Sequence, residues 1–285
     1  MNSTTESPGY SDFQKYDYGF YKTGKEEPIE YDRNLHSQKS FSLVIPAYNE
    51  EKRIEPFLKH LKLHIPETWE IIIVCDGTDN TADIVRSFGT RFRVLEFSHK
   101  LGKGGAIIKG IEVAKGDVIG YVDADGAIQA NDIIKVFNCV TEDAPVAIGS
   151  RWVRGSKITT KQPISRIILG RLYHYTTFAI LGIRHKDTQC GLKAYRKDAI
   201  LRIMEKLTLT NLSIDTAILY HCKLLKYKVS EVPIKWKDFG GSKFHPVKSA
   251  IVMFITLLGL RLAHTTESRL VKQKLAEMQE FFNGI

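Results

Sequence analysis

The residues best suited to chemistry stand at the end of Val118-Ile-Gly-Tyr-Val-Asp-Ala-Asp-Gly126. The first five residues are apolar or small and read as a strand buried on both faces. The run stops at Asp123, Ala124 and Asp125, followed by the turn residue Gly126. Alternate side chains of a strand point to opposite faces, but at a strand end the chain can bend both carboxylates around one point. Two acids at the tip of a buried strand are costly unless something offsets their charge. A divalent cation would, because hard cations such as Mg²⁺ take carboxylate oxygens together with substrate phosphates. The competing reading is a turn with two solvated acids, Asp-Gly being common in turns.

Three further stretches offer polar groups beside apolar runs. Pro46-Ala-Tyr-Asn-Glu50 brings Tyr48, a ring face for a planar base, and Glu50, acceptors for ribose hydroxyls. The alternative is a helix start with Asn49 as cap and Glu50 in the first turn. In Cys75-Asp-Gly-Thr-Asp-Asn-Thr81, Asp76 could accept the ring N–H of uracil or guanine, or simply cap a turn. Gly102-Lys-Gly-Gly-Ala106 opens a helix, where glycines let backbone amides approach a phosphate and Lys103 adds charge. It matches neither the P-loop spacing nor Gly-x-Gly-x-x-Gly.

The elements that must position these residues follow from periodicity. Strands are expected at 41–46, 70–75, 92–97, 118–122 and 146–150, with a longer alternating strand at 228–236. Helices are expected at 51–63, 81–88, 104–114, 131–140, 164–183, 198–206, 213–225, 247–262 and 266–282. Strands alternating with helices imply βαβ units, an α/β fold and a mostly parallel central sheet flanked by helices. Right-handed crossovers then bring successive strand ends to one side, where ligands of such sheets bind. Pro46 to Glu50, Asp76, Asp123 and Asp125 are thereby expected in one crevice. Residues 1–38 read as a polar tail with seven aromatic residues, 39–246 as the catalytic domain, and 247–285 as C-terminal amphipathic helices.

The formal net charge of +9 is uneven. Residues 151–250 hold twenty Lys and Arg against six Asp and Glu, which calls for an anionic partner: nucleic acid, a phosphorylated substrate or an acidic membrane surface. Four scattered cysteines show no zinc or disulfide spacing and fit a reducing compartment. No apolar run reaches the roughly 18 residues that span a bilayer.

Read in order, Pro-Ala-Tyr-Asn-Glu, Asp-Gly-Thr, Gly-Lys-Gly-Gly-Ala and Asp-Ala-Asp-Gly-Ala resemble family 2 glycosyltransferases of the Rossmann-like GT-A fold. Ile148-Gly-Ser-Arg151, Asp187-Thr-Gln-Cys-Gly-Leu-Lys193, Glu231-Val-Pro-Ile-Lys-Trp236 and Gly240-Gly-Ser-Lys243 narrow the resemblance to dolichyl-phosphate glucosyltransferases, with polyprenyl-phosphate mannose synthases next. The resemblance covers roughly residues 40–262. It implies that Pro46, Tyr48, Glu50, Asp76, Lys103 and Asp123 hold the nucleotide sugar. It also implies that Asp123 and Asp125 bind Mg²⁺ or Mn²⁺, and that Arg151, Arg166 and Lys243 hold an acceptor phosphate. Asp125 and Arg151 become the catalytic candidates, with Asp215 as a possible base. The chain departs from the mannose synthases at Ala127, where they place a metal-binding Gln. It departs from the glucosyl group at Asp215-Thr-Ala217, where that group tends to show Asp-x-Glu.

The expected reaction is therefore inverting transfer of glucose from UDP-glucose to a dolichyl or polyprenyl phosphate. The alternatives are GDP-mannose as donor on the same fold, an inactive scaffold, or a nucleic-acid-binding protein. The ordered strand-end motifs argue against the last. An interfacial segment with basic charge is a two-signal membrane attachment. The chain is accordingly expected to be peripheral at the cytoplasmic face of the plasma membrane or endoplasmic reticulum, with 164–183 and 250–260 as contact segments.

Overall fold

A computed structural model describes residues 39–160, 164–207, 213–237 and 254–262, with the backbone alone for 164–166. Strands β1 (Phe41–Ala47), β2 (Glu70–Cys75), β3 (Phe92–Glu96) and β4 (Val118–Val122) alternate with helices α1 (Ile54–His64), α2 (Thr81–Ser87) and α3 (Gly102–Val113). Then follow α4 (Ala130–Asn138), β5 (Val146–Ser150), β6 (Lys157–Ile158), α5 (Ile164–Leu181), β7 (Leu192–Arg196), α6 (Lys197–Met204) and α7 (Ile214–Leu224). Two short strands, β8 (Val229–Pro233) and β9 (Lys235–Trp236), and a helix over 254–262, α8, complete the described chain.

Seven strands form one sheet in the order β3-β2-β1-β4-β7-β5-β8. All neighbours are parallel except β7, which runs against both β4 and β5. The β-branched, apolar runs of β1 and β2 suit strands covered on both faces, and their residues alternate between two cores. Leu43, Ile45, Ile71 and Ile73 pack with Phe57, Leu61, Val85 and Phe137 from α1, α2 and α4. Val44, Ile72 and Val74 pack with Ile107, Ile111, Ile203 and Ile218 from α3, α6 and α7.

The chain places β2 and β3 on one side of β1, then crosses back to put β4 on the other. The crevice where strand order reverses lies between the carboxyl ends of β1 and β4, the usual ligand site of such sheets. Tyr48, Asp76 and Asp123 follow directly on the ends of β1, β2 and β4.

Three expectations need correction. No strand was expected at Leu192–Arg196; β4 and β5 nevertheless flank it, and its Lys193 is fully buried because Asp215 answers its charge. The single strand expected at 228–236 is two. After Pro233 the chain leaves the main sheet, and β9 pairs in parallel with β6 instead. The first helix also starts three residues later than expected. Asn49 takes φ 55°, and Glu50 O accepts the N–H groups of Arg53 and Ile54, so residues 49–53 form a turn of their own. Asn49 is therefore not the cap of α1. Its Oδ1 accepts the Thr78 N–H at 2.8 Å and ties the β1 end to the β2 end.

Candidate active site

The carboxylate pair sits where β4 runs out. The Asp123 N–H still bonds to Gly191 O at 3.1 Å, so the residue is held by the chain entering β7. A Cβ at position 191 would lie 1.9 Å from Asp123 Oδ2, so only glycine fits beside it. Asp125 is half-buried, and its Oδ1 accepts the Ala127 N–H at 3.0 Å. Loss of water around the Asp125 carboxyl, then the charge of Asp123, pushes its pKa up to about 6. Excess negative charge is thus built into the tip of β4.

Lys103, in the first turn of α3, answers part of that charge. Its Nζ lies 2.8 Å from Asp123 Oδ1 and 2.9 Å from Asp215 Oδ2. Asp215, in the first turn of α7, is buried, and its other oxygen accepts from Tyr121 OH at 2.7 Å and from Lys193 Nζ. Lys193 Nζ also donates to Cys190 O at 2.6 Å. Burial alone would raise the Asp215 pKa, but Lys103 and then Lys193 hold it well below the usual carboxylate range. A carboxylate pinned between two ammonium groups and a phenol is a brace rather than a proton acceptor. From the sequence, Lys193, Tyr121 and Gly191 had no individual role. Gly191 and Lys193 stood only within the Asp187–Lys193 motif of the family resemblance, and a lysine inside Leu-Lys-Ala-Tyr was a further signal.

The β1 and β2 ends make the other wall. Tyr48 is exposed, with Lys100 Nζ 4.9 Å from its ring centroid. Glu50 is gripped by Arg53 through two bonds of 2.8 and 2.7 Å, and its N–H donates to Thr81 Oγ1 at 2.9 Å. Pro46 stands half-buried within β1. Asp76 is buried, and its Oδ2 accepts the N–H groups of Leu101 and Gly102, both at 2.8 Å. Asp76 therefore joins the end of β2 to the start of α3, the turn that presents Lys103.

Past β5, Arg151 makes a fork to Asp187, with Nε to Oδ2 at 2.7 Å and Nη2 to Oδ1 at 2.8 Å. Its backbone N–H adds a third bond to Oδ2 at 2.9 Å. Burial would raise the Asp187 pKa, but Arg151 holds it low. The guanidinium carbon lies 5.6 Å from the Trp236 ring centroid. Within Asp187-Thr-Gln-Cys-Gly191, Gln189 Nε2 donates to Thr216 Oγ1 at 2.7 Å, while Cys190 O and Gly191 serve Lys193 and Asp123 as above. The motif is thus a set of supports for the two lysines and Arg151. Lys243 lies outside the described residues, as does the side chain of Arg166. Among the described residues, no group of three or more His, Cys, Asp or Glu gathers as a metal cluster.

A profile of glycosyl transferase family 2 matches residues 42–204. Similar sequences include the dolichyl-phosphate beta-glucosyltransferase of Dictyostelium discoideum, 32% identical over 78% of this chain and 74% of that protein. The enzyme of the same name from Saccharomyces cerevisiae is 31% identical over 92% and 87%, and the one from Homo sapiens 30% over 80% and 76%. Among solved structures, glucosyl-3-phosphoglycerate synthase of Mycobacterium tuberculosis, in complex with Mn²⁺, UDP and phosphoglyceric acid, superposes with TM-score 0.61 at 15% identity, covering 92% of this chain and 85% of that one. It shares the fold.

Proposed function

The chain belongs to glycosyl transferase family 2, and from that premise we propose its reaction: glucose passes from UDP-glucose to dolichyl phosphate with inversion, giving a β-linked lipid-phosphate glucose. The observation that carries the mechanism is the Asp123–Lys103–Asp215 chain beside the half-buried Asp125, at the strand ends of a GT-A sheet.

Asp123 and Asp125 would hold Mg²⁺ or Mn²⁺. The fit rests on their chemistry: two carboxylates, one with its pKa pushed up to about 6 by burial and by the other, gain most from a hard cation. Among the described residues no third acid joins them in a metal cluster, which suits a cation that also binds substrate phosphates. A cation held by these two carboxylates would supply positive charge against the negative charge of the departing diphosphate. Tyr48 and Glu50 offer the nucleoside a ring face and an acceptor edge. Asp76 acts through the backbone, fixing the turn that carries Lys103. Arg151 keeps N–H groups beyond the two spent on Asp187, and these would orient the acceptor phosphate. That phosphate has a second pKa near 6 and is largely a dianion at neutral pH, so it needs little base catalysis. Asp215 accordingly positions Lys103 instead of accepting a proton. With a lipid acceptor, the enzyme works at a membrane surface, which we take to be the cytoplasmic face.

Incubation with labelled UDP-glucose, Mn²⁺ and a polyprenyl phosphate is expected to give chloroform-extractable label, lost in Asp125→Asn. Label from GDP-mannose but none from UDP-glucose would sink the glucosyl reading.

A further inference from the structure

The helices that brace the site also carry a second charged cavity at their far ends. α5 and α7 run side by side in the same direction: Tyr173 OH, midway along α5, meets Thr216 Oγ1 at 2.8 Å near the start of α7, and Lys223 Nζ donates to Leu181 O at 2.7 Å near the ends of both. Lys223 lies eight residues beyond Asp215, about 12 Å along the helix axis. There a cavity of about 720 Å³ is lined by Phe178, Arg184, His185, Lys223, Lys226 and Lys228, among others.

Basic side chains near helix C-termini ordinarily answer unsatisfied carbonyls. Lys223 does so, but Arg184, Lys226 and Lys228 do not. All three are exposed, and among the described residues no carboxylate pairs with them. The nearby Glu231 is committed to His185 Nδ1 at 3.2 Å and to the Lys186 N–H at 3.0 and 3.1 Å. The backbone is shaped around the same lysines. Gly182 has φ 64°, and a Cβ there would lie 2.3 Å from Lys223 Nζ. Lys226 itself has φ 56°, a conformation non-glycine residues hold only at a cost.

Charge alone would suit any phosphate, but the cavity runs into apolar surface. Phe178 on its wall ends a row on α5 with Ile168, Leu172 and Tyr175, which are 48, 61, 60 and 63% exposed in that order. These residues repeat at helical spacing over about 15 Å. A continuous apolar row beside uncompensated cations is the pattern of a surface that meets anionic lipid.

We infer that the cavity seats the phosphate headgroup of an anionic phospholipid while the α5 row enters the bilayer. The inference rests on the lipid-acceptor reading, which gives the enzyme reason to sit on a membrane; the lipid meant is bulk phospholipid, distinct from the acceptor.

Flotation with vesicles of phosphatidylcholine, with and without phosphatidylserine, tests it on the full chain. The wild type should float with the anionic vesicles alone. Each near-surface cation is worth about fivefold, so Arg184→Gln/Lys226→Asn/Lys228→Gln should lower partitioning about a hundredfold. Leu172→Ser/Tyr175→Ser should also release the protein. Both variants should keep wild-type transfer to a water-soluble, short-chain polyprenyl phosphate, which reports folding and separates this surface from the reaction. Flotation without dependence on phosphatidylserine, or undiminished flotation of the cation variant, would overturn the inference. So would calorimetric binding of glycerophosphoserine without vesicle binding, or a dimer in sedimentation that the α5 variant dissolves. Vesicle binding by a wild type without transfer activity would overturn the reaction and leave this surface standing.

Discussion

A Cβ at position 191 would lie 1.9 Å from Asp123 Oδ2, so Gly191→Ala must push the carboxylate off its present place. Displacement of a reacting-site group by about 1 Å costs on the order of a hundredfold in rate. Glucosyl transfer by this variant is expected to fall by about that factor while its thermal midpoint stays near wild type; full activity would show that Asp123 is not needed where it stands. Asp125 supplies a pH signature. Its folded pKa is pushed up to about 6 by burial and then by Asp123, and a protonated carboxyl is a poor ligand. Affinity for Mn²⁺ should be full above about pH 7 and fall by up to about tenfold per unit below 6. Titration calorimetry across that range checks the slope, and Asp125→Asn should remove it. The motif acids were legible because they end a buried strand. Lys193 was not, since only its neighbours in space explain a lysine inside a core.

The N-terminus of α4 depends on a histidine from another helix. His60 Nε2 accepts the Ala130 N–H at 3.0 Å, a role open only to the neutral ring. Burial, and then His64, lowers the His60 pKa from 6.5 to about 4. Because the folded value lies below the unfolded one, this contribution is whole above about pH 6.5 and is lost as pH falls toward 4. Urea titrations at about pH 7 and pH 5 should show the wild type losing about 2 kcal/mol more than His60→Gln between them. Equal losses would exclude His60 as the source. At this scale the alternation of strands and helices was readable from apolar periodicity, and the helix ends fell within about three residues. β7 was not readable. A strand flanked on both sides by others can accept a lysine only if the fold supplies an acid, and Asp215 comes from a helix far along the chain.

Taken whole, the sheet leaves its ligand crevice at the β1–β4 switch, and binding there couples to folding. UDP with Mn²⁺, each at about 100 Kd, should raise the thermal midpoint by about 5–10 °C. Neither Asp125→Asn nor EDTA-treated wild type should gain the Mn²⁺-dependent part. A shift that persists in the variant would place the metal elsewhere. Among the described residues no helix is long and apolar enough to cross a membrane. Part of the basic excess of residues 151–250 gathers at Arg184, Lys223, Lys226 and Lys228, on the opposite end of α7 from Asp215.

The sequence by itself determined the α/β class, the strand-end location of Tyr48, Glu50, Asp76, Asp123 and Asp125, and the family resemblance. Those features are local: an apolar run and the polar residues that stop it are neighbours in the chain. Only the tertiary structure decided which charges meet. Lys103 joins Asp123 to Asp215, Lys193 neutralises Asp215 from within the sheet, and Arg151 is steered by Asp187. Each pairing spans tens of residues, and burial sets its strength, so spacing along the chain carried no record of it.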